Sequence, residues 1–134
     1  MKVAIVYAST TGNTEAVAQA LQQAAEAAGS EVYFSDAASA DSAEATSADL
    51  VLLGSPAMGS EELEDSMETF FTEIEGSLSG KTVGLFGSYD WGDGQFIKTW
   101  EERVQAAGAT VKGTVPVHLA PEDSDLEEAK KLLA

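Results

Sequence analysis

Residues Val3–Thr14 read VAIVYASTTGNT, an apolar run followed by a hydroxyl-rich turn. The run Val3–Tyr7 predicts a buried strand, and an amphipathic helical pattern begins near Thr14. The turn Ser9–Thr14 therefore precedes a helix N-terminus, where unpaired N–H groups and the helix dipole favour an anion. It contains no lysine or arginine, which excludes the nucleoside-triphosphatase loop Gly-x-x-x-x-Gly-Lys-Ser/Thr. It predicts a phosphate site made almost entirely of hydrogen bonds, although such a turn taken alone is more often a helix N-cap.

Apolar runs alternate with helical periodicities along the rest of the chain, a pattern typical of a parallel sheet covered on both faces. The predicted strands are Val3–Tyr7, Glu31–Ser35, Leu50–Leu53, Thr82–Phe86 and Thr110–Val117. Pro116 cannot donate a ladder hydrogen bond, so the last strand is expected at a sheet edge or to end there. We expect a doubly wound α/β fold and one domain over residues 1–134.

The chain is strongly acidic and contains no cysteine. Seven basic and 23 acidic residues among 134 give a formal charge of −16. Residues 3–80 hold fourteen acidic and no basic residues, a local charge of −14. This argues against nucleic acid or an anionic membrane as partner and fits basic proteins, although solubility or a salty habitat explains it equally well. No signal-type segment or run of eighteen apolar residues occurs, so we expect a cytoplasmic protein.

Three turns follow the carboxyl ends of the first, third and fourth predicted strands. In an open parallel sheet those ends lie at one edge, so the turns are expected to converge there. They read Ser9-Thr10-Thr11-Gly12-Asn13-Thr14, Pro56-Ala57-Met58-Gly59-Ser60-Glu61-Glu62 and Gly87-Ser88-Tyr89-Asp90-Trp91-Gly92.

These segments resemble the phosphate loop and the two isoalloxazine loops of the short-chain, clostridial-type flavodoxins, in the same order over nearly the whole chain. The resemblance implies a flavodoxin-like sandwich with strand order 2-1-3-4-5; flavodoxin with FMN at this edge is itself a standard example of ligand placement in such sheets. It further implies a low-potential one-electron carrier, not an enzyme, that binds FMN non-covalently and uses the neutral semiquinone/hydroquinone couple. We expect a monomer that passes electrons between redox proteins with basic surfaces.

Carried over residue by residue, the resemblance implies that the first turn holds the FMN phosphate. The residues concerned are Ser9, Thr10, Thr11, Gly12, Asn13 and Thr14. Thr10 stands where close relatives often have glycine, so its backbone must adopt a compatible angle.

The second and third turns are implied to hold the isoalloxazine ring. Their contributing residues are Pro56, Ala57, Met58, Gly59, Ser60, Glu61, Ser88, Tyr89, Asp90, Trp91 and Gly92. Met58 and Trp91 would lie against opposite faces of the ring, although each residue beside a glycine is more often involved in loop packing. Glu61 would accept a hydrogen bond from flavin N3–H, or it complements a helix dipole. Asp90 replaces a glycine of several relatives and adds charge beside the ring.

Gly59 is implied to let a backbone carbonyl turn toward flavin N5 once N5 is protonated. A residue without Cβ reaches positive φ without the usual penalty of roughly 1–2 kcal/mol. We therefore expect Gly59→Ala to reduce the yield of blue neutral semiquinone during stepwise reduction, followed by visible absorbance. An unchanged yield would count against the peptide rotation.

Other classes of protein fit less well. An FMN-dependent NAD(P)H oxidoreductase of the same fold is the alternative, but no additional segment is available to form a nicotinamide pocket. A receiver-type signalling module needs acidic residues where Ala8-Ser9 and Gly54-Ser55 stand, and a phosphatase of this topology needs a loop cysteine. His118 is the one histidine, without neighbouring ligands in sequence, so we expect no metal site. Trp100 continues an apolar helical face and is expected in the core.

Overall fold

The computed structural model describes residues 1–9, 12–58, 62–90 and 94–133, without the side chain of Met58. The strands are β1 (Lys2–Tyr7), β2 (Glu31–Asp36), β3 (Leu50–Gly54), β4 (Ala57–Met58), β5 (Glu62–Leu63), β6 (Thr82–Tyr89) and β7 (Thr110–His118). The helices are α1 (Asn13–Ala27), α2 (Ser42–Thr46), α3 (Asp65–Ile74), α4 (Gln95–Ala106) and α5 (Asp123–Lys130). Short 3₁₀ turns follow α3 at Glu75–Ser77 and α5 at Lys131–Leu133.

Five strands form a parallel sheet in the order β2-β1-β3-β6-β7, and β4 and β5 form a separate antiparallel ribbon. With the ribbon set aside, this is the expected order 2-1-3-4-5, so the predicted fold class is confirmed. The sheet edge predicted from Pro116 is also confirmed, because β7 is an outer strand.

The core has two layers, one on each face of the sheet. Val3 and Ile5 point to the layer covered by α1 and α5, whereas Ala4 and Val6 point to the layer covered by α2, α3 and α4. Every residue of β3 is buried, which explains its wholly apolar sequence. Trp100 is buried in the second layer, as predicted.

The strand before the third turn is longer than the sequence predicts. Gly87, Ser88 and Tyr89 are in β6 rather than in a loop, and they pair with Pro116, Val117 and His118 of β7. The pairing continues because β7 extends equally far. The added residues form backbone hydrogen bonds between the strands that a loop would not provide.

The helix after the second turn begins later than its apolar pattern indicates. The helical spacing of Leu63, Met67, Phe70, Phe71 and Ile74 predicts Leu63 on the helix, but Leu63 lies in β5 and α3 starts at Asp65. The Glu64 carboxylate sets this boundary by accepting a hydrogen bond of 2.9 Å from the Ser66 N–H. Among the helices of the described residues, none has both the length and the apolar character needed to cross a bilayer.

Helices α3 and α4 are joined by an ion pair that makes stability pH-dependent. The Arg103 guanidinium donates hydrogen bonds of 2.7 Å to both carboxylate oxygens of Glu68 and lies 4.8 Å above the Phe71 ring. The hydrogen bond from Arg103 lowers the pKa of the Glu68 carboxyl. A pKa that is lower in the folded chain stabilises the fold above the unfolded value, and this contribution is lost as pH falls through the folded value.

Glu68→Gln is expected to lower the free energy of unfolding at pH 7 by at most about 1 kcal/mol, because both partners remain partly exposed. Denaturant titrations at pH 7 and pH 3 should show a smaller difference at pH 3, where part of the ionised Glu68 is lost. The exposed pair Glu127–Lys130 provides a control, and Glu127→Gln should have almost no effect at either pH. A Glu68→Gln effect that is as large at pH 3 as at pH 7 would contradict the ionic origin.

Candidate functional site

Three strand ends lie side by side at one edge of the sheet. Tyr7, Gly54 and Phe86 are in register across β1, β3 and β6. Beyond them, the Ala8 N–H donates to the Gly54 carbonyl at 2.9 Å, and the Ser55 N–H donates to the Phe86 carbonyl at 3.2 Å. The three turns therefore begin at the same edge, where the strand order reverses between β1 and β3.

The first turn presents hydrogen-bond donors at the start of α1. Gly12 precedes the helix with φ of 90° and has no side chain with which to cap it. The Ser9 hydroxyl oxygen accepts from the N–H groups of Gly12 (3.0 Å) and Glu15 (3.4 Å). A hydroxyl that accepts twice can still donate its own hydrogen. A Cβ built on Gly12 would meet no atom of the described residues within 4 Å.

A buried hydrogen bond links the first turn to the third. Thr14 Oγ1 and Ser88 Oγ lie 2.9 Å apart, and both residues are buried although they are 74 positions apart in the chain. The N-terminal end of α1 is thereby fixed to the end of β6. The two turns are held as one unit.

We expect Thr14→Val and Ser88→Ala each to lower the free energy of unfolding by about 1–3 kcal/mol, because each leaves a buried hydroxyl without its partner. The double variant should cost less than the sum of the two, since it removes both polar groups. Denaturant titration of the four proteins measures this coupling. Strictly additive losses would show that the hydrogen bond carries no energy.

The second turn is closed at its base by Ser55, a residue that sequence reasoning missed. Its buried hydroxyl donates to the Pro56 carbonyl at 2.9 Å and accepts from the Glu64 N–H at 3.0 Å. Pro56 is buried and Ala57 half-buried, and Ala57 pairs with Leu63 in the ribbon. Both ends of the segment are thus fixed to the end of β3. A serine before proline gave no signal of this role in sequence.

The third turn leaves β6 at Tyr89 and Asp90, beside the end of β7. Tyr89 is half-buried and Asp90 is exposed. The Leu119 N–H donates to the Tyr89 carbonyl at 2.9 Å, and Nε2 of His118 lies 3.0 Å from the Asp90 carbonyl oxygen. Sequence reasoning did not place His118 at this edge of the sheet.

Part of the predicted site lies outside the described residues. This holds for Thr10, Thr11, Gly59, Ser60, Glu61, Trp91, Gly92 and the side chain of Met58. The roles of these residues stay predictions, as do the ligand contacts of the others. The structure brings together the described members of the three turns, namely Ser9, Gly12, Asn13, Thr14, Pro56, Ala57, Ser88, Tyr89 and Asp90.

The site is electrically neutral at its first turn and acidic around it. Burial, together with the nearby Glu15 and Asp36, raises the pKa of the Tyr7 phenol at the end of β1. Glu62 and Asp65 are exposed beside the second turn, and Asp90 is exposed at the third. Glu64, by contrast, caps α3. An anion bound in the first turn would rely on hydrogen bonds and the helix dipole for its stabilisation.

This fold and this edge define a class: doubly wound α/β proteins that bind a ligand at the switch point of a parallel sheet. The family model for flavodoxin matches residues 5–132. Flavodoxin of Megasphaera elsdenii is 48% identical over 131 residues, covering 97% of this chain and 94% of the relative. Flavodoxin of Clostridium beijerinckii is 39% identical over 125 residues, covering 92% and 90%.

The structural comparison agrees with the sequence comparison. The solution structure of two-electron reduced Megasphaera elsdenii flavodoxin matches with a TM-score of 0.87 and 47% identity, covering 98% of this chain and 99% of that one. The chain belongs to the flavodoxin family. It is an electron-transfer protein with FMN as its cofactor. The match to flavodoxins favours this carrier role over the alternative of an NAD(P)H oxidoreductase.

Proposed function

We propose that residues 1–134 form one FMN-binding domain that carries single electrons at low potential between redox proteins in the cytoplasm, as a monomer. One observation carries the proposal: three turns begin at one edge of the sheet, the third of them three residues beyond the register of the other two, and hydrogen bonds tie them together. When bound, FMN supplies the one-electron chemistry that amino-acid side chains lack.

The first turn fits the phosphate of FMN. Gly12 begins the helix without a side chain, with no described atom within 4 Å of a Cβ placed on it, and the Ser9 hydroxyl retains a hydrogen to donate. With Thr10, Thr11, Asn13 and Thr14, these groups form a neutral donor set. Such a set of donors can stabilise an anion without a cationic side chain.

The second and third turns fit the ring. Pro56 and Ala57 begin the second turn, and Ser55 holds both of its ends. Met58, Gly59, Ser60 and Glu61 would contact one side of the ring, and Ser88, Tyr89, Asp90, Trp91 and Gly92 would contact the other. The protein would orient the ring and exclude water from it, because these turns are fixed to a rigid sheet.

The acidic edge beside these turns supports basic redox proteins as partners. Glu62, Asp65 and Asp90 are exposed, whereas Arg103, which lines the same groove as Glu62 and Asp65, is paired with Glu68. Complementary charge accelerates encounter, and this acceleration weakens as salt screens it. We therefore assign the carboxylates at this edge to partner docking.

The proposal is tested by electron transfer from the reduced holoprotein to a basic cytochrome c, used as a probe, at increasing ionic strength. The rate constant should fall as salt is added, and it should rise or stay flat with an acidic cytochrome as the control. The double variant Glu62→Gln/Asp65→Asn should weaken the salt dependence with the basic probe. A rate that is insensitive to salt and to these substitutions would refute this docking surface.

A further inference from the structure

The end of β7 holds two consecutive carbonyl groups of the third turn. The Leu119 N–H donates to the Tyr89 carbonyl at 2.9 Å. Nε2 of His118 lies 3.0 Å from the next carbonyl oxygen, that of Asp90. The His118 and Tyr89 rings also lie against each other, with centroids 5.1 Å apart. The two contacts to carbonyl groups come from His118 and Leu119, which are adjacent in the chain.

These contacts determine where the neighbouring N–H groups point. A trans peptide is planar, and its carbonyl and N–H groups point in opposite directions. Because the Tyr89 carbonyl faces Leu119, the Asp90 N–H points away from β7. The Phe86 carbonyl, on the opposite side of β6, accepts from Ser55. The Asp90 N–H is thus directed to the side of β6 on which the second turn begins.

The contact to Asp90 acts in the same way one residue later. Because the Asp90 carbonyl is held too, both backbone groups of Asp90, its N–H and its C=O, have a fixed direction. A carbonyl oxygen can only accept, so Nε2 of His118 must carry the hydrogen. Imidazole meets this condition both as the neutral Nε2–H tautomer and as the cation.

The backbone at Leu119 is an independent sign that the end of β7 is shaped to meet this turn. Leu119 has φ of 60°, the one positive value among the described residues other than glycine. Its side chain is 47% exposed, so core packing does not hold it in this conformation. Such strained positions persist where neighbouring contacts over-determine them. Here those contacts are the hydrogen bond to Tyr89 and the preceding contact of His118 with Asp90.

We propose that His118 is a positioning residue for the third turn. By donating to the Asp90 carbonyl, while Leu119 holds the Tyr89 carbonyl, it keeps Asp90 in the orientation that presents its N–H group to the flavin ring. This inference rests on the proposed FMN site and assigns His118 no direct contact with FMN.

Two variants separate the hydrogen bond from ring packing. His118→Phe keeps a ring beside Tyr89 but has no donor, whereas His118→Gln keeps an N–H donor at about the position of Nε2 but has no ring. Each holoprotein is diluted in steps, and the recovery of free FMN fluorescence gives the dissociation constant. We expect His118→Phe to raise it by about three- to tenfold, the range for one lost hydrogen bond. His118→Gln should stay within about twofold of the unsubstituted protein.

A second readout reports the orientation of the bound ring. The visible circular dichroism of saturated FMN should change in His118→Phe and be restored in His118→Gln. Wild-type affinity in His118→Phe, or weaker binding in His118→Gln than in His118→Phe, would overturn the inference and indicate ring packing or no role. If the unsubstituted protein holds no FMN, the proposed function fails and the inference fails with it.

Discussion

Gly87→Ala is expected to lower the free energy of unfolding by about 3 kcal/mol. A Cβ built on Gly87 would overlap the carbonyl oxygen of Ser55 and lie 2.8 Å from the Phe96 ring. Ser55 and Phe96 are both buried, so neither can move aside without disturbing the core or the end of β3. Overpacking at such sites costs about 1–3 kcal/mol and occasionally more, and here one of the opposing atoms belongs to the backbone.

Gly76→Ala is the matched control. A Cβ on Gly76 would meet no atom within 4 Å, and Gly76 is not among the glycines with positive φ. The same substitution should be neutral there or stabilise by up to about 1 kcal/mol through the unfolded chain. Denaturant titration of both variants measures the difference. If Gly87→Ala unfolds at the same denaturant concentration as Gly76→Ala, the close approach of β3 and β6 has been misjudged.

Riboflavin, which lacks the phosphate, is expected to bind at least about a hundredfold more weakly than FMN. Hydrogen bonds to a charged group contribute about 1.5–3 kcal/mol each, and the first turn offers several donors. Repulsion from the formal charge of −16 reduces this advantage. Added salt should therefore tighten FMN binding by screening the repulsion, while riboflavin affinity changes little. Fluorescence titrations with both ligands at low and high salt give all four dissociation constants.

Ser9→Ala localises this effect. It removes a hydroxyl that organises the turn around Gly12 and still has a hydrogen to donate, so FMN affinity should fall by about tenfold or more. Riboflavin affinity should stay within about twofold, and Ser39→Ala, at an exposed turn, should change neither. Equal affinities for FMN and riboflavin would contradict the assignment of the first turn as a phosphate site.

The fold class could be predicted because its signals are local. Each strand is a short apolar run, each helix shows its own periodicity, and the parallel arrangement then brings the turns after the first, third and fourth strands together. The position of Ser9 and Gly12 before α1 follows from the same reasoning. These predictions needed no knowledge of which distant residues touch.

What the sequence did not reveal depends on contacts between distant positions. The extension of β6 to Tyr89 requires β7 beside it, and the hydrogen bond from Thr14 to Ser88 spans 74 positions. Ser55 closes the second turn only because the fold places the Glu64 N–H beside it. His118 contacts the third turn only because β7 ends beside Asp90. None of these pairings leaves a periodic or compositional trace, because each depends on particular residues that meet only in the folded chain.

The most direct test of the central claim is calorimetric titration of the folded apoprotein with FMN. We predict one binding event with a stoichiometry of one FMN per chain, and a yellow protein whose flavin fluorescence is quenched. A protein with unchanged far-ultraviolet circular dichroism that stays colourless and gives no heat of binding in excess FMN would contradict it.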